Sequence, residues 1–222
     1  IELDQLEGLL DLLPLITVDN PSRYSISLNV ALMRAGDKLA DKGRYSGAAL
    51  LYSATLTRNQ IQSYYQRREA ELADLIERYR RAGYSEERLG DQLYELETIR
   101  ENLKQLSEVQ DYTSLLLARI ARNLYLAGRD YEALWAYLRL VEQYPNDALA
   151  EQFAFAAFTT ATRLGQDEIA ERLGEELLGG TENAELQQKV LLTLVAERYD
   201  RRDEEGFQKE QFLQAADNFL AN

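Results

Sequence analysis

Carboxylates are the only side chains abundant enough for acid-base or metal chemistry in this 222-residue sequence, which holds 38 Asp and Glu but neither His nor Cys. Without imidazole or thiol, the commonest proton shuttle, the thiol nucleophile and the thiolate or imidazole metal site are all ruled out. The closest carboxylate pairs are Glu69 with Glu71, Glu95 with Glu97, and Glu175 with Glu176. Residues one or two apart on a helix point in different directions, and these pairs sit in charged stretches where nothing raises a carboxylate pKa. A helical di-metal centre needs Glu-x-x-His, a calcium loop needs clustered oxygen ligands around a glycine, and a nucleotide cradle needs a glycine-rich or phosphate-loop lysine motif. None occurs. The expectation is a chain that is not an enzyme, with no catalytic residues, no cofactor and no metal.

Charge and hydropathy narrow the class further. A net charge of −13 repels phosphate backbones, so nucleic acid is not an expected partner. The densest basic stretch, Arg78, Arg80 and Arg81, lies beside a predicted turn, where positive charge compensates the dipole at a helix C-terminus. No apolar run reaches bilayer length, so no transmembrane segment is expected. The first residue is Ile1 rather than Met, as in a chain from which an upstream segment has been removed. The lack of cysteine suits an exported protein, which favours a bacterial periplasm or cell envelope over the cytoplasm without fixing the compartment.

The elements that must position any functional side chain read as helices. Leu, Ala, Glu, Gln and Arg dominate and only three prolines interrupt them, while 45% hydrophobic content supplies a continuous core. Ile1, Leu3, Leu6, Leu9, Leu10 and Leu13 predict a short amphipathic helix ending before Pro14. Asn20-Pro21 predicts a helix from Pro21 or Ser22 to Asp41, closed by Lys42-Gly43, with a second helix from Tyr45. Helices at 111–127 and 131–144, about Gly128, form another pair before Pro145. Helices from Asn146 or Asp147 to Leu164 and from Glu168 to Leu178, about Gly165, form a third that Gly179-Gly180 should stop. A fourth, more degenerate pair is drawn at 183–199 and 204–220, with Arg201 to Glu205 as a polar cap.

Gly36, Gly43, Tyr45, Ala48 and Tyr52 in the first pair, and Ala121, Gly128, Ala133, Tyr137 and Pro145 in the second, fall at the small, turn, aromatic, alanine and terminal-proline positions of a tetratricopeptide repeat, which the chain resembles. The third pair keeps Gly165 and Ala170 but puts Phe158 at a small position and Gly174 where an aromatic belongs. The resemblance implies an all-α fold: a tetratricopeptide-like α-α superhelix of helix-turn-helix repeats, forming a single domain over 1–222.

Residues 57–110 break the tandem spacing yet are strongly helical, and are read as an inserted long antiparallel coiled-coil hairpin. Ile61, Tyr65, Leu72, Leu75 and Tyr79 set an apolar seam interrupted by Arg68, and Leu89, Leu96, Ile99, Leu103 and Leu106 continue it on the return. The helix begun at Tyr45 should run into this arm unbroken, and the returning helix should pass almost directly into the second pair. At ~1.5 Å per residue each arm of about 25 residues would reach on the order of 40 Å. It either projects to grip a partner or folds against its own chain or a symmetry mate.

In a tetratricopeptide repeat the first helix of each pair lines a concave groove, which implies a partner-binding set of Met33, Asp37, Arg122, Tyr125, Gln152, Phe155, Thr159 and Arg163. Aromatic and arginine side chains would anchor a protein or peptide partner, and Asp37 and Thr159 would orient it; Tyr125 and Phe155 also fit ordinary packing between repeats. The reading is a scaffold or adaptor acting through the groove, the hairpin or both. The alternatives are the helical, non-catalytic region of a larger bacterial envelope enzyme, and a homo-oligomeric structural element joined through its hairpins.

Overall fold

The computed structural model describes residues 8, 10–200, 213 and 217, without the side chains of 197–200. Regular structure among them is helical throughout, with no strand. Nine α-helices are bounded: α1 (Ile26–Asp41), α2 (Tyr45–Ala54), α3 (Arg58–Arg81), α4 (Gly90–Glu108), α5 (Thr113–Leu126), α6 (Asp130–Gln143), α7 (Ala150–Arg163), α8 (Asp167–Gly180) and α9 (Ala184–Asp200). They fall into two compact units, Ile1–Leu116 and Leu117–Asn222. Most of the amphipathic opening helix, the predicted helix at 204–220 and the polar cap lie outside the described residues; residues 8 and 10–12 are helical.

Three turns share one geometry. Gly43, Gly128 and Gly165 take φ of +74°, +74° and +62°, a region that side chains with a Cβ avoid. After each glycine the next N–H reaches back across the helix end: Arg44 to the Leu39 carbonyl, Arg129 to Leu124 and Gln166 to Ala161, at 2.8, 2.9 and 2.9 Å. These bonds satisfy carbonyls that the helix end leaves open. Five residues beyond each glycine stands an alanine, Ala48, Ala133 and Ala170, and each is 0% exposed. With only a methyl group at that position, the second helix can lie close against the first.

The wedge beside those alanines is filled in two ways. In the α1–α2 pair Gly36 faces Tyr52, and a Cβ on Gly36 would lie 2.6 Å from the ring. In the α7–α8 pair the order is reversed: Phe158 is fully buried, and a Cβ on Gly174 would lie 3.2 Å from its ring. Ala121 and Tyr137 hold the matching positions on α5 and α6, and both are buried. The departures read in the third pair are thus complementary, a large residue opposite a small one.

The helix begun at Tyr45 does not continue into the arm. It ends at Ala54, and α3 starts at Arg58. The Leu56 peptide between them is held by two distant side chains: its N–H donates to Asn29 Oδ1 at 2.5 Å, and its carbonyl accepts from the Tyr112 hydroxyl at 2.8 Å. Thr57 then restarts the chain with a capping box, its hydroxyl accepting from the Gln60 N–H while Gln60 Oε1 accepts from the Thr57 N–H. The return is interrupted too, at Val109–Tyr112, where Asp111 Oδ1 accepts from the Thr113 N–H. Asn20-Pro21 caps a 3-10 turn, Pro21–Tyr24, before α1 begins at Ile26. Gly179 and Gly180 do not stop α8 at Leu178: neither takes positive φ, and the helix runs through Gly180 to a C-cap at Thr181.

Helices α3 and α4 run antiparallel, as their cross-links show: Arg58 Nε donates to the Leu106 carbonyl, Arg100 Nε to Glu69 and Arg80 to Glu86. Gly83, at φ +84°, reverses the chain. Leu72, Ile76, Leu89, Leu96 and Ile99 form the core between them, with Tyr65, Leu75, Tyr79 and Leu103 half-buried beside it. At the foot a second cluster joins Tyr24, Leu56, Ile61 and Leu106. In the other unit one core runs through α5 to α9, from Ala121 and Tyr137 through Phe158 and Leu173 to Val190 and Leu194.

Candidate functional site

Of the eight side chains read as a partner-binding set, the structure brings one long-range pair together. Tyr125 lies in the last turn of α5 and Arg163 is the last residue of α7. The Arg163 guanidinium carbon lies 3.8 Å from the centre of the Tyr125 ring. The same guanidinium donates to the Tyr125 carbonyl at 3.3 Å and pairs with Asp130 at the start of α6. Three elements thus fix one cation, whose side chain stays 41% exposed. An arginine already held on an aromatic face is a preorganised contact, because the ordering entropy is already spent in folding.

The neighbouring members are arranged around this pair. Gln152, Phe155, Thr159 and Arg163 recur at three- and four-residue steps, along one face of α7. Gln152 is exposed, and Phe155 is half-buried with its ring 6.2 Å from that of Phe158. The Thr159 hydroxyl donates to the Phe155 carbonyl at 3.0 Å, so it is engaged by its own helix. Arg122 is exposed one turn before Tyr125. Beneath them burial pushes the Tyr137 hydroxyl up to about 12, with the Arg122 charge opposing the rise and Tyr125 adding to it. In the other unit Met33 is buried at 6% exposure, a core position, and the Asp37 carboxylate accepts a 2.8 Å hydrogen bond from the Tyr52 hydroxyl.

Protein-family models and curated proteins were both compared with the chain, and neither comparison gives a match. Among the described residues no group of three or more acidic side chains is placed to hold a metal ion, and no helix is long and apolar enough to cross a membrane.

Two aromatic groups were missed in the sequence. Tyr131 and Trp135, one turn apart on α6, are 62% and 69% exposed, while Leu134, Tyr137 and Leu140 face the core. The signal was available: with Ala133 and Tyr137 fixed as contact positions, 131 and 135 fall on the opposite side of a 3.6-residue helix. The other lies at the hairpin foot, where the buried Tyr24 ring stacks on the half-buried Tyr64 ring, 3.4 Å apart and 2° from parallel. Tyr65 meets Tyr64 edge-on at 5.4 Å. Burial first, and the neighbouring tyrosine second, raise the Tyr64 pKa above its ordinary value; the same two causes raise that of Tyr65. Arg68, the polar residue in the apolar seam, donates twice to Glu95 across the hairpin, at 3.0 and 2.8 Å.

Proposed function

We propose that this chain is a non-catalytic scaffold that binds a polypeptide partner, built as a tetratricopeptide-like superhelix with α3 and α4 as an inserted antiparallel coiled coil. The recurrence of the glycine turn, the 0%-exposed alanine and the filled wedge supports the repeat reading. The observation that carries the function is the Arg163–Tyr125 pair. It is a held arginine-on-aromatic contact flanked by Arg122, Gln152 and Phe155, the mix of residue types that anchors protein interfaces. The arm offers a second surface, where Tyr94 stands 74% exposed on α4.

Affinity capture from an extract of the source cells tests this reading, using the wild-type chain, Arg122→Glu, Gln152→Lys and Tyr94→Ser. All three positions are exposed, so the fold should survive substitution. A discrete partner retained by wild type and lost with Arg122→Glu or Gln152→Lys places binding on the α5–α7 face, whereas loss with Tyr94→Ser places it on the arm. Undiminished capture by all three variants removes both assignments.

A further inference from the structure

Four exposed side chains on α6 form one stripe: Tyr131, Trp135, Arg139 and Glu142. At 3.6 residues per turn they fall within an arc of roughly 80°, while Ala133, Leu134, Tyr137 and Leu140 are buried on the other side. Among the described residues nothing engages the stripe. Arg139 and Glu142 stand three residues apart yet make no ion pair or hydrogen bond with each other or with any other group, and no ring packs on Tyr131 or Trp135. Tryptophan, tyrosine and arginine are the residue types that concentrate binding energy at protein interfaces.

The order of the stripe indicates what covers it. From the N-terminal end it reads aromatic, aromatic, cation, anion. Against a second α6 related by a perpendicular two-fold axis the stripe runs in the opposite sense, and each contact occurs twice. With the axis level with residue 137, Trp135 of each copy lies opposite Arg139 of the other, and Tyr131 lies within one residue's rise, ~1.5 Å, of Glu142. Each guanidinium then stacks on an indole, and each phenol hydroxyl donates to a carboxylate. The antiparallel helices also set opposite dipole ends together. Glu132, at the edge of the stripe, comes level with Glu142 in this register, but Arg129 at 2.7 Å already offsets its charge. A parallel pairing lacks the match, since it sets Arg139 against Arg139 and Glu142 against Glu142.

We propose that the outer face of α6 is a homodimer interface, occupied by the same face of a second copy in antiparallel, two-fold register. The occupant is a second copy because the stripe is complementary to itself. Two 14-residue helices bury less than the roughly 1,200 Å² of a standard stable interface, so the dimer is weak, with a dissociation constant on the order of 100 µM. This contact is separate from the α5–α7 face and leaves the scaffold reading untouched.

The test is sedimentation equilibrium of the full chain from about 10 to about 500 µM, in ~0.15 M salt to screen the repulsion between two chains of charge −13. Trp135 is the one tryptophan in the sequence, so its emission reports on the stripe itself. The mass should climb toward twice the single-chain value, and the emission should shift to shorter wavelength over the same concentrations. Arg139→Glu and Trp135→Arg, with helix content checked by circular dichroism, should each weaken the dimer about tenfold or more. Trp135→Arg combined with Arg139→Trp exchanges the two partners, which the two-fold register tolerates, so the double variant should return to within about threefold of wild type. A single-chain mass at the highest concentration overturns the proposal, as does a dimer that neither single substitution weakens. Failure of the double variant to restore what Trp135→Arg loses overturns the antiparallel register. A dimer lost with Tyr94→Ser but kept by Arg139→Glu places the contact on the arm and also overturns it.

Discussion

In the α1–α2 pair a glycine, Gly36, faces the ring of Tyr52; in the α7–α8 pair a phenylalanine, Phe158, faces a glycine, Gly174. Both pairs turn at a left-handed glycine and bury an alanine five residues on, so the backbones demand the same filled wedge. What the two pairs hold constant is the sum of the facing volumes, not the residue at either position. Close-packed interiors respond to total volume, which is why the exchange is tolerated.

The strongest way to break the comparison is to empty the wedge of the third pair. Phe158 is fully buried between α7 and α8, so Phe158→Ala should cost about 3–5 kcal/mol, read as a lowered midpoint in urea denaturation. A loss below about 1 kcal/mol would mean that α7 and α8 collapse to fill the gap.

A subtler contrast separates the two glycines. Both lie inside helices, where alanine is favoured by about 1 kcal/mol. At Gly174 the added methyl meets Phe158 and Leu194 at 3.2 Å, so small shifts should bring the net change to within about 1 kcal/mol of zero. Equilibrium unfolding of Gly174→Ala checks this.

Much of this pairing was legible in the sequence, because a left-handed glycine, its flanking helix periods and the alanine beyond it are local signals. Gly43, Gly128 and Gly165 all carry them. The break at Leu56 was not read, since the groups that satisfy its peptide, Asn29 and Tyr112, lie 27 and 56 residues away. One local cue was there, the Thr57–Gln60 capping box. Of the partner-binding set, Tyr125 and Arg163 meet, whereas Met33 is core and Asp37 is engaged by Tyr52. The repeat resemblance assigned each to the first helix of a pair but could not say which faces another helix covers.

The smallest effect concerns the second pair, whose wedge holds a tyrosine with no hydrogen bond to its hydroxyl among the described residues. Burial raises the Tyr137 pKa from 10.0 to about 12, so the folded state keeps its proton where the unfolded state loses it. The stability this contributes is complete below pH 10 and disappears as pH rises through about 12. Tyr137→Phe should therefore leave stability at pH 7 nearly unchanged and flatten its alkaline decline. A decline as steep as in wild type would assign the alkaline loss to other groups.

The claim that facing residues in the α1–α2 and α7–α8 pairs share one filled wedge is tested most directly by a double-mutant cycle on Gly36 and Tyr52. Alone, Gly36→Ala drives a methyl to 2.6 Å from the Tyr52 ring and should cost about 1–3 kcal/mol. Tyr52→Leu leaves a gap and should cost a similar amount. Combined, they should cost less than the sum by more than about 1 kcal/mol, because each relieves the defect the other creates. Additive losses would mean that the two residues do not share a wedge, and the account of the repeated pairs would fail.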